Sequence, residues 1–183
     1  WNNVENVFYY QTPRYIEPKD AIAGENNIIW IADNVQGLVR HTGSTGNERI
    51  IPNSPVSTYS YQMDLKDGKL WVANGKRDDT NGNNFYLIDG MMNFENEIWN
   101  SINWETTPGA DTIYDVIAAA IDPSDSRRVF MGALGQGVWE IYDGKIINQY
   151  TEKNSSLKPF YHPSWYHLGV SGLDFDSQNN LWV

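Results

Sequence analysis

Asp78, Asp79, Asn81, Asn83 and Asn84 place carboxylate and amide oxygens close together within positions 78–84. Calcium takes about six to eight oxygen ligands, so a loop of this kind offers part of a calcium shell. Asp78, Asp79 and Asn81 are its candidate ligands. The spacing is not that of an EF-hand. Counted from Asp79, the position that needs Gly carries Asn84, and the position that needs Glu carries Gly90. The same side chains also suit solvated turns, because Asp and Asn oxygens accept from backbone N–H groups two residues on. Asp174-Phe175-Asp176-Ser177-Gln178-Asn179 is a second acidic turn with the same two readings.

A different chemistry is written in Phe160, Tyr161, Trp165 and Tyr166, the densest aromatic stretch of the chain. Rings on a connection offer apolar faces with polar rims, suited to stacking on a sugar or docking a protein. The plainer alternative is a long connection folding its own aromatics over a sheet edge. His162 and His167 are five apart, which places them on one face of neither a helix nor a strand. With His41 they complete the histidines. No nucleophile elbow, His-Glu-x-x-His helix or phosphate-cradling loop is present. Carboxylates from separate turns could still meet in a central channel, as glycoside hydrolysis needs.

Composition narrows the partners. The formal charge is −10, with 23 acidic residues against 13 Lys and Arg, and no basic run. Neither a nucleic-acid backbone nor an anionic bilayer surface is an expected partner. No stretch approaches the ~20 apolar residues of a membrane-spanning helix. With no cysteine, thiol chemistry and disulfides are absent. Eight Trp and eleven Tyr make the chain too aromatic for disorder.

The elements that must hold these residues form a repeat. Asp67-Gly68-Lys69-Leu70-Trp71-Val72 runs from a polar turn into an apolar strand. The figure recurs in Asn26 to Ile31, in Arg127 to Met131 with Phe130 in place of Trp, and in Asn179 to Val183. Anchor strands are expected near 28–32, 69–73, 128–132 and 180–183. Their aromatics, Trp30, Trp71, Phe130 and Trp182, are expected to pack between adjacent sheets. Spacings of 41, 59 and 52 residues between them fall at or above the ~40–50 residues of known propeller blades.

Each anchor leads into a second strand. Gly37 and Gly137 both stand seven positions after their anchors and supply the positive φ of a tight hairpin. In the second repeat, 76–84 is an insertion, and Phe85 to Ile88 is the expected second strand, closed by an Asp89-Gly90 turn. Asp143-Gly144 closes the equivalent strand in the third repeat. Apolar first strands are expected at Tyr61 to Leu65, at the Ala-rich Val116 to Ile121, and at Gly169 to Phe175. Trp1-Asn2-Asn3-Val4 matches Trp99-Asn100-Ser101-Ile102, so the chain is expected to open partway through a repeat. The fold class is therefore all-β: a β-propeller of about four four-stranded repeats over 1–183, part of a larger ring.

These residues resemble a known family. Asp67 to Val72, a Gly-Leu-type strand and an aromatic-Asp-Gly turn are similar to the two-component-regulator propeller repeat, which builds seven-bladed sensors. Ile29 to Val39, Ala120 to Gly132 and Tyr150 to Leu157 resemble PorZ-type proteins of the type IX secretion system. That resemblance implies a non-enzymatic scaffold in the periplasm or on the surface of a Gram-negative bacterium. Other secretion-system proteins or a surface glycan would be its partners, with no cofactor beyond the calcium considered above. Two alternatives remain: a periplasmic glycan-sensing propeller of a hybrid two-component system, and a propeller enzyme acting on polysaccharide.

Overall fold

A computed structural model describes residues 16–43, 46–50, 52–162 and 165–183; the side chains of 161, 162, 165 and 166 are outside that description, as are residues 1–15 with the Trp1 motif. The chain divides into two compact units, Trp1–Asn53 and Ser54–Val183.

The first unit holds one four-stranded antiparallel sheet: β1 (Pro18–Ala23), β2 (Ile29–Asp33), β3 (Gly37–His41) and β4 (Asn47–Ile50), paired in chain order. The β1–β2 connection turns on Asn26 and Asn27, both at positive φ, a conformation Asn tolerates better than bulkier residues. Asp33 fixes the β2–β3 turn by accepting from the N–H groups of Val35 (2.7 Å) and Gln36 (2.6 Å). Ile31 and Val39 form the buried centre, with Ile16 and Ile29 packed on it.

The second unit contains β5 (Gln62–Lys66), β6 (Lys69–Ala73), β7 (Met91–Glu95) and β8 (Ile98–Ile102), again paired in chain order. Next come β9 (Val116–Ile121), β10 (Arg128–Gly135), β11 (Gly137–Tyr142) and β12 (Lys145–Tyr150). A hairpin of β13 (Phe160–His162) and β14 (Trp165–Gly169) joins this sheet at the end of β10, and β15 (Asp174–Phe175) pairs with β16 (Leu181–Trp182). Four-stranded antiparallel meanders of this kind are the blades of a β-propeller, so the fold is the all-β one expected.

Each aromatic anchor lies on the second strand of its sheet, opposite the first. Trp30 faces Ile22, Trp71 faces Asp64, Phe130 faces Ala120 and Trp182 faces Asp174. Trp71 is 3% exposed and shares a core with Ala119, Ile121, Val129 and Met131 of the following sheet. Phe130 repeats this one sheet further on, packing with Leu173, Leu181 and Phe175, whose ring centroid is 5.8 Å away. Both thus pack between sheets, as expected. Trp182 differs: it is 67% exposed on a two-stranded sheet, its indole N–H donating to Asp176.

The Ala-rich segment is a strand, and all six residues of β9 are buried. Each fully buried Val or Ile there contributes about 1.5–3 kcal/mol. Small alanines let β5 lie close alongside. Its side chains reach the open edge of β9, where Asp64 accepts from the N–H of Ile121 at 2.7 Å and Gln62 from that of Ala119 at 3.3 Å.

Four expectations are corrected. Phe85 to Ile88 forms no strand; the second strand of its sheet is β7, six residues later than expected, counted from Phe85 to Met91. The turn that closes it is Asn96-Glu97, with both residues at positive φ, and Asp89-Gly90 leads into the strand instead. The aromatic stretch 160–167 is a hairpin, with Phe160 opposite His167 and Tyr161 opposite Tyr166. Its alternating bulky residues suit a pleated strand. Lastly, Gly169 ends that hairpin, and only Asp174–Phe175 of the expected Gly169 to Phe175 strand pairs with β16.

Candidate functional site

In an antiparallel meander, every second connection leaves from the same end of the sheet. In the second unit these are the β6–β7 connection (74–90), the β8–β9 connection (103–115) and the β10–β11 turn. They are tied to one another by hydrogen bonds. The Asn84 side-chain amide donates to the Leu134 carbonyl at 2.5 Å. Gln136 accepts from the N–H of Tyr114 (3.0 Å) and donates to the carbonyl of Thr112 (2.6 Å).

The aromatic hairpin meets the insertion at the same place. β14 pairs with β10 through Leu134 and Gly135. A β-carbon at Gly135 would stand 3.3 Å from the Asn84 amide nitrogen and 3.3 Å from the His167 ring. The two segments that depart from the repeat, the 76–84 insertion of the second and the 160–167 hairpin after the third, therefore converge on one end of the β9–β12 blade. Burial pushes the His167 imidazole below its ordinary value, favouring the neutral ring.

Asp115 organises this end. It is fully buried, and its carboxylate accepts from three consecutive backbone N–H groups: Phe85 (2.8 Å), Tyr86 (2.7 Å) and Leu87 (3.0 Å). Its own N–H donates to the Leu87 carbonyl, and its carbonyl accepts from Leu134. One residue thus clamps 85–87, the segment directly after the insertion, to β10. Sequence reasoning missed it, because a single Asp before an apolar strand reads as turn chemistry.

The clamp leaves rings outward. Phe85 is 43% exposed and Tyr86 68%. The Tyr86 ring centroid is 5.2 Å from that of Tyr114, tilted by 50°. Lys76 places its ammonium 4.3 Å from the Phe85 centroid and 5.7 Å from that of Tyr59, a cation–π arrangement.

Of the residues singled out beforehand, Phe160 is exposed on the hairpin. The side chains of Tyr161, Trp165 and Tyr166 lie outside the described ones. Asp78 and Asn81 are turned to their own loop: Asp78 accepts from the N–H (2.8 Å) and hydroxyl (2.5 Å) of Thr80, and Asn81 accepts from the N–H of Asn83. These bonds hold the Asp78 carboxyl below its ordinary value. Asp79 is exposed beside them. The bridge between Arg77 and Asn84 closes the loop. Among the described residues, no three His, Asp or Glu side chains gather to hold a metal.

A groove of about 610 Å3 runs along the first strands β5, β9 and β15. Its carboxylates are engaged by backbone. Asp64 accepts from Leu65 and Ile121, and Asp174 from Phe175. Asp176 accepts from the amide and N–H of Asn180, the N–H of Gln178 and the indole of Trp182. The bonds from Asn180, with that from Trp182, bring the Asp176 carboxyl from 3.8 to about 2. Because the folded value is the lower one, this contribution is present above the ordinary carboxylate value and disappears as pH falls through about 2. The Trp182 indole N–H resonance should therefore titrate with a midpoint near 2. A midpoint at 3.8 or higher would show that the bonds do not favour the anion.

No family model matches the chain, and no curated protein sequence matches it. Among solved structures, it is similar to PorZ, a bacterial surface component of the type IX secretion system of Porphyromonas gingivalis. The identity is 23% and the TM-score 0.65, over 86% of this chain and 21% of PorZ. It also aligns with an extracellular domain assigned to a hybrid two-component system of B. thetaiotaomicron, at 11% identity and a TM-score of 0.46, over 91% of this chain and 20% of that one. An ancestral GH74 enzyme aligns at 14% identity and a TM-score of 0.38, over 87% and 20%. The first superposition is close enough to define a shared fold; the other two are not. The chain spans about a fifth of the length of each of these structures.

Proposed function

We propose that this chain is a recognition segment of a β-propeller at the bacterial cell surface, acting by binding in type IX secretion and surface attachment. The convergence of the 76–84 insertion and the 160–167 hairpin over Leu134 and Gly135 carries this reading. Segments that break a repeat and are held at one end of a rigid blade are placed as binding loops are. The fold shared with PorZ, a surface component of that secretion system, supports the setting. Binding is favoured over hydrolysis because the groove carboxylates Asp64 and Asp176 spend both oxygens on N–H groups. The partner is a secretion-system protein or a surface glycan.

The test compares the chain with a variant whose 77–84 loop is replaced by a two-residue Asn-Gly turn. Each is immobilised and exposed to purified lipopolysaccharide and to purified surface components from a bacterium with type IX secretion. Binding to at least one, reduced at least about tenfold by the excision, is the expected result. Equal binding by both chains, no binding to any of these, or release of new reducing ends from the glycan, would overturn the reading.

A further inference from the structure

Tyr86 stands at φ 58, in the left-handed region. A bulky aromatic residue rarely occupies that region, which is costly for any residue with a β-carbon. Three successive N–H groups bound by one buried carboxylate hold it there. Backbone held in an unfavourable conformation by its surroundings is a feature of ligand-binding sites. Here its effect is visible. The ring is turned into solvent beside Tyr114 and away from the blade core.

The ligand chemistry follows from the neighbouring ring. Phe85 and Tyr59 already hold an ammonium group, that of Lys76, over their faces. Tyr86 and Tyr114 are a second pair of rings on the same loop cluster, and among the described residues no Lys or Arg stands over them. The surrounding field is negative: the chain carries −10, and Asp79 and Asp111 are exposed on these connections, with Asp78 half-buried beside Asp79. Burial, then the neighbouring Tyr86 and last the charge of Asp115, push the Tyr114 hydroxyl above its ordinary value. A ring face in a negative field attracts a cation.

We propose that Tyr86 and Tyr114 form a docking face for an Arg or Lys side chain of a partner protein, with Asp115 as the residue that positions Tyr86. This rests on the binding reading above and assigns its partner to the protein class. Asp115 acts through the backbone of 85–87 and does not touch the ligand.

The probe is a labelled hexa-arginine peptide, with hexa-glutamine as the neutral control, titrated into the full chain at ~150 mM salt, where long-range attraction is screened. The intact chain should bind the arginine peptide and not the glutamine one. Tyr86→Ala and Tyr114→Ala should each weaken binding about two- to fivefold, the range expected for one exposed cation–π contact. Tyr86→Phe, which keeps the ring, should bind as the parent does.

Tyr86→Gly separates site from scaffold. It removes the ring and relieves the left-handed backbone, so its Tm should be no lower than that of the parent while binding falls as in Tyr86→Ala. For Asp115, the comparison is Asp115→Asn against Ile141→Ala, a core variant remote from the site. With both folded by near-ultraviolet circular dichroism, only Asp115→Asn should lose peptide affinity. Equal affinity in Tyr86→Ala and the parent would overturn the proposal. So would loss of lipopolysaccharide binding in Tyr86→Ala with peptide binding unchanged, which would assign the face to a glycan. Either result leaves the loop-excision test of the broader reading intact.

Discussion

Asp115→Ala is expected to destabilise the second unit by about 3–5 kcal/mol, more than most single substitutions. The variant strands three N–H donors, those of Phe85, Tyr86 and Leu87. Each buried donor left without an acceptor costs about 1–3 kcal/mol, and partial access of water to this loop places the sum toward the lower half of the possible total. Asp115→Asn keeps one carbonyl oxygen and should fall between the parent and Ala. Urea unfolding followed by tryptophan fluorescence gives the comparison directly. A midpoint for Asp115→Ala within error of the parent would show that 85–87 holds its place without the carboxylate.

Gly137→Ala is expected to have a comparable effect, about 3–5 kcal/mol, whereas Gly144→Ala in the same sheet should cost only about 1 kcal/mol. Both glycines have positive φ, 82° and 73°. What differs is the space around them. A β-carbon at Gly137 would stand 2.1 Å from the Tyr150 carbonyl oxygen, while one at Gly144 meets nothing within 4 Å. The obstacle at Gly137 is backbone within the β11–β12 ladder, where Val138 pairs with Tyr150. It cannot swing aside as a side chain would. Unfolding midpoints of the two variants, measured side by side, decide this. Equal midpoints would mean that backbone conformation alone sets the cost and the close approach is relieved elsewhere.

The same contrast shows how far the sequence reaches. Gly37 and Gly137 are indistinguishable in it: each stands seven residues after its anchor and opens a second strand. Only the folded chain reveals that Gly37 faces open space and Gly137 a carbonyl. The repeat itself was legible, because a turn followed by an apolar strand with a central aromatic is a local pattern. Trp71 and Phe130 occupy the inter-sheet positions that this pattern implies. The second strand of the second repeat was not legible. Phe85 to Ile88 has the composition of a strand, yet its N–H groups are bound by Asp115, 28 to 30 residues away, and cannot join a ladder.

The candidate site divides along the same line. By itself the sequence determined that the chain is an aromatic, acidic β-repeat, and that 76–84 and 160–167 are the segments that depart from the repeat. Periodicity and turn chemistry depend on neighbours a few residues apart, so they survive in a linear reading. The tertiary structure alone decided that these two segments meet over Leu134 and Gly135, that Asp115 clamps 85–87 directly after the first of them, and that Tyr86 faces solvent in a left-handed conformation. Those facts rest on hydrogen bonds spanning 28 to 50 residues, whose partners become neighbours only when blade packs on blade.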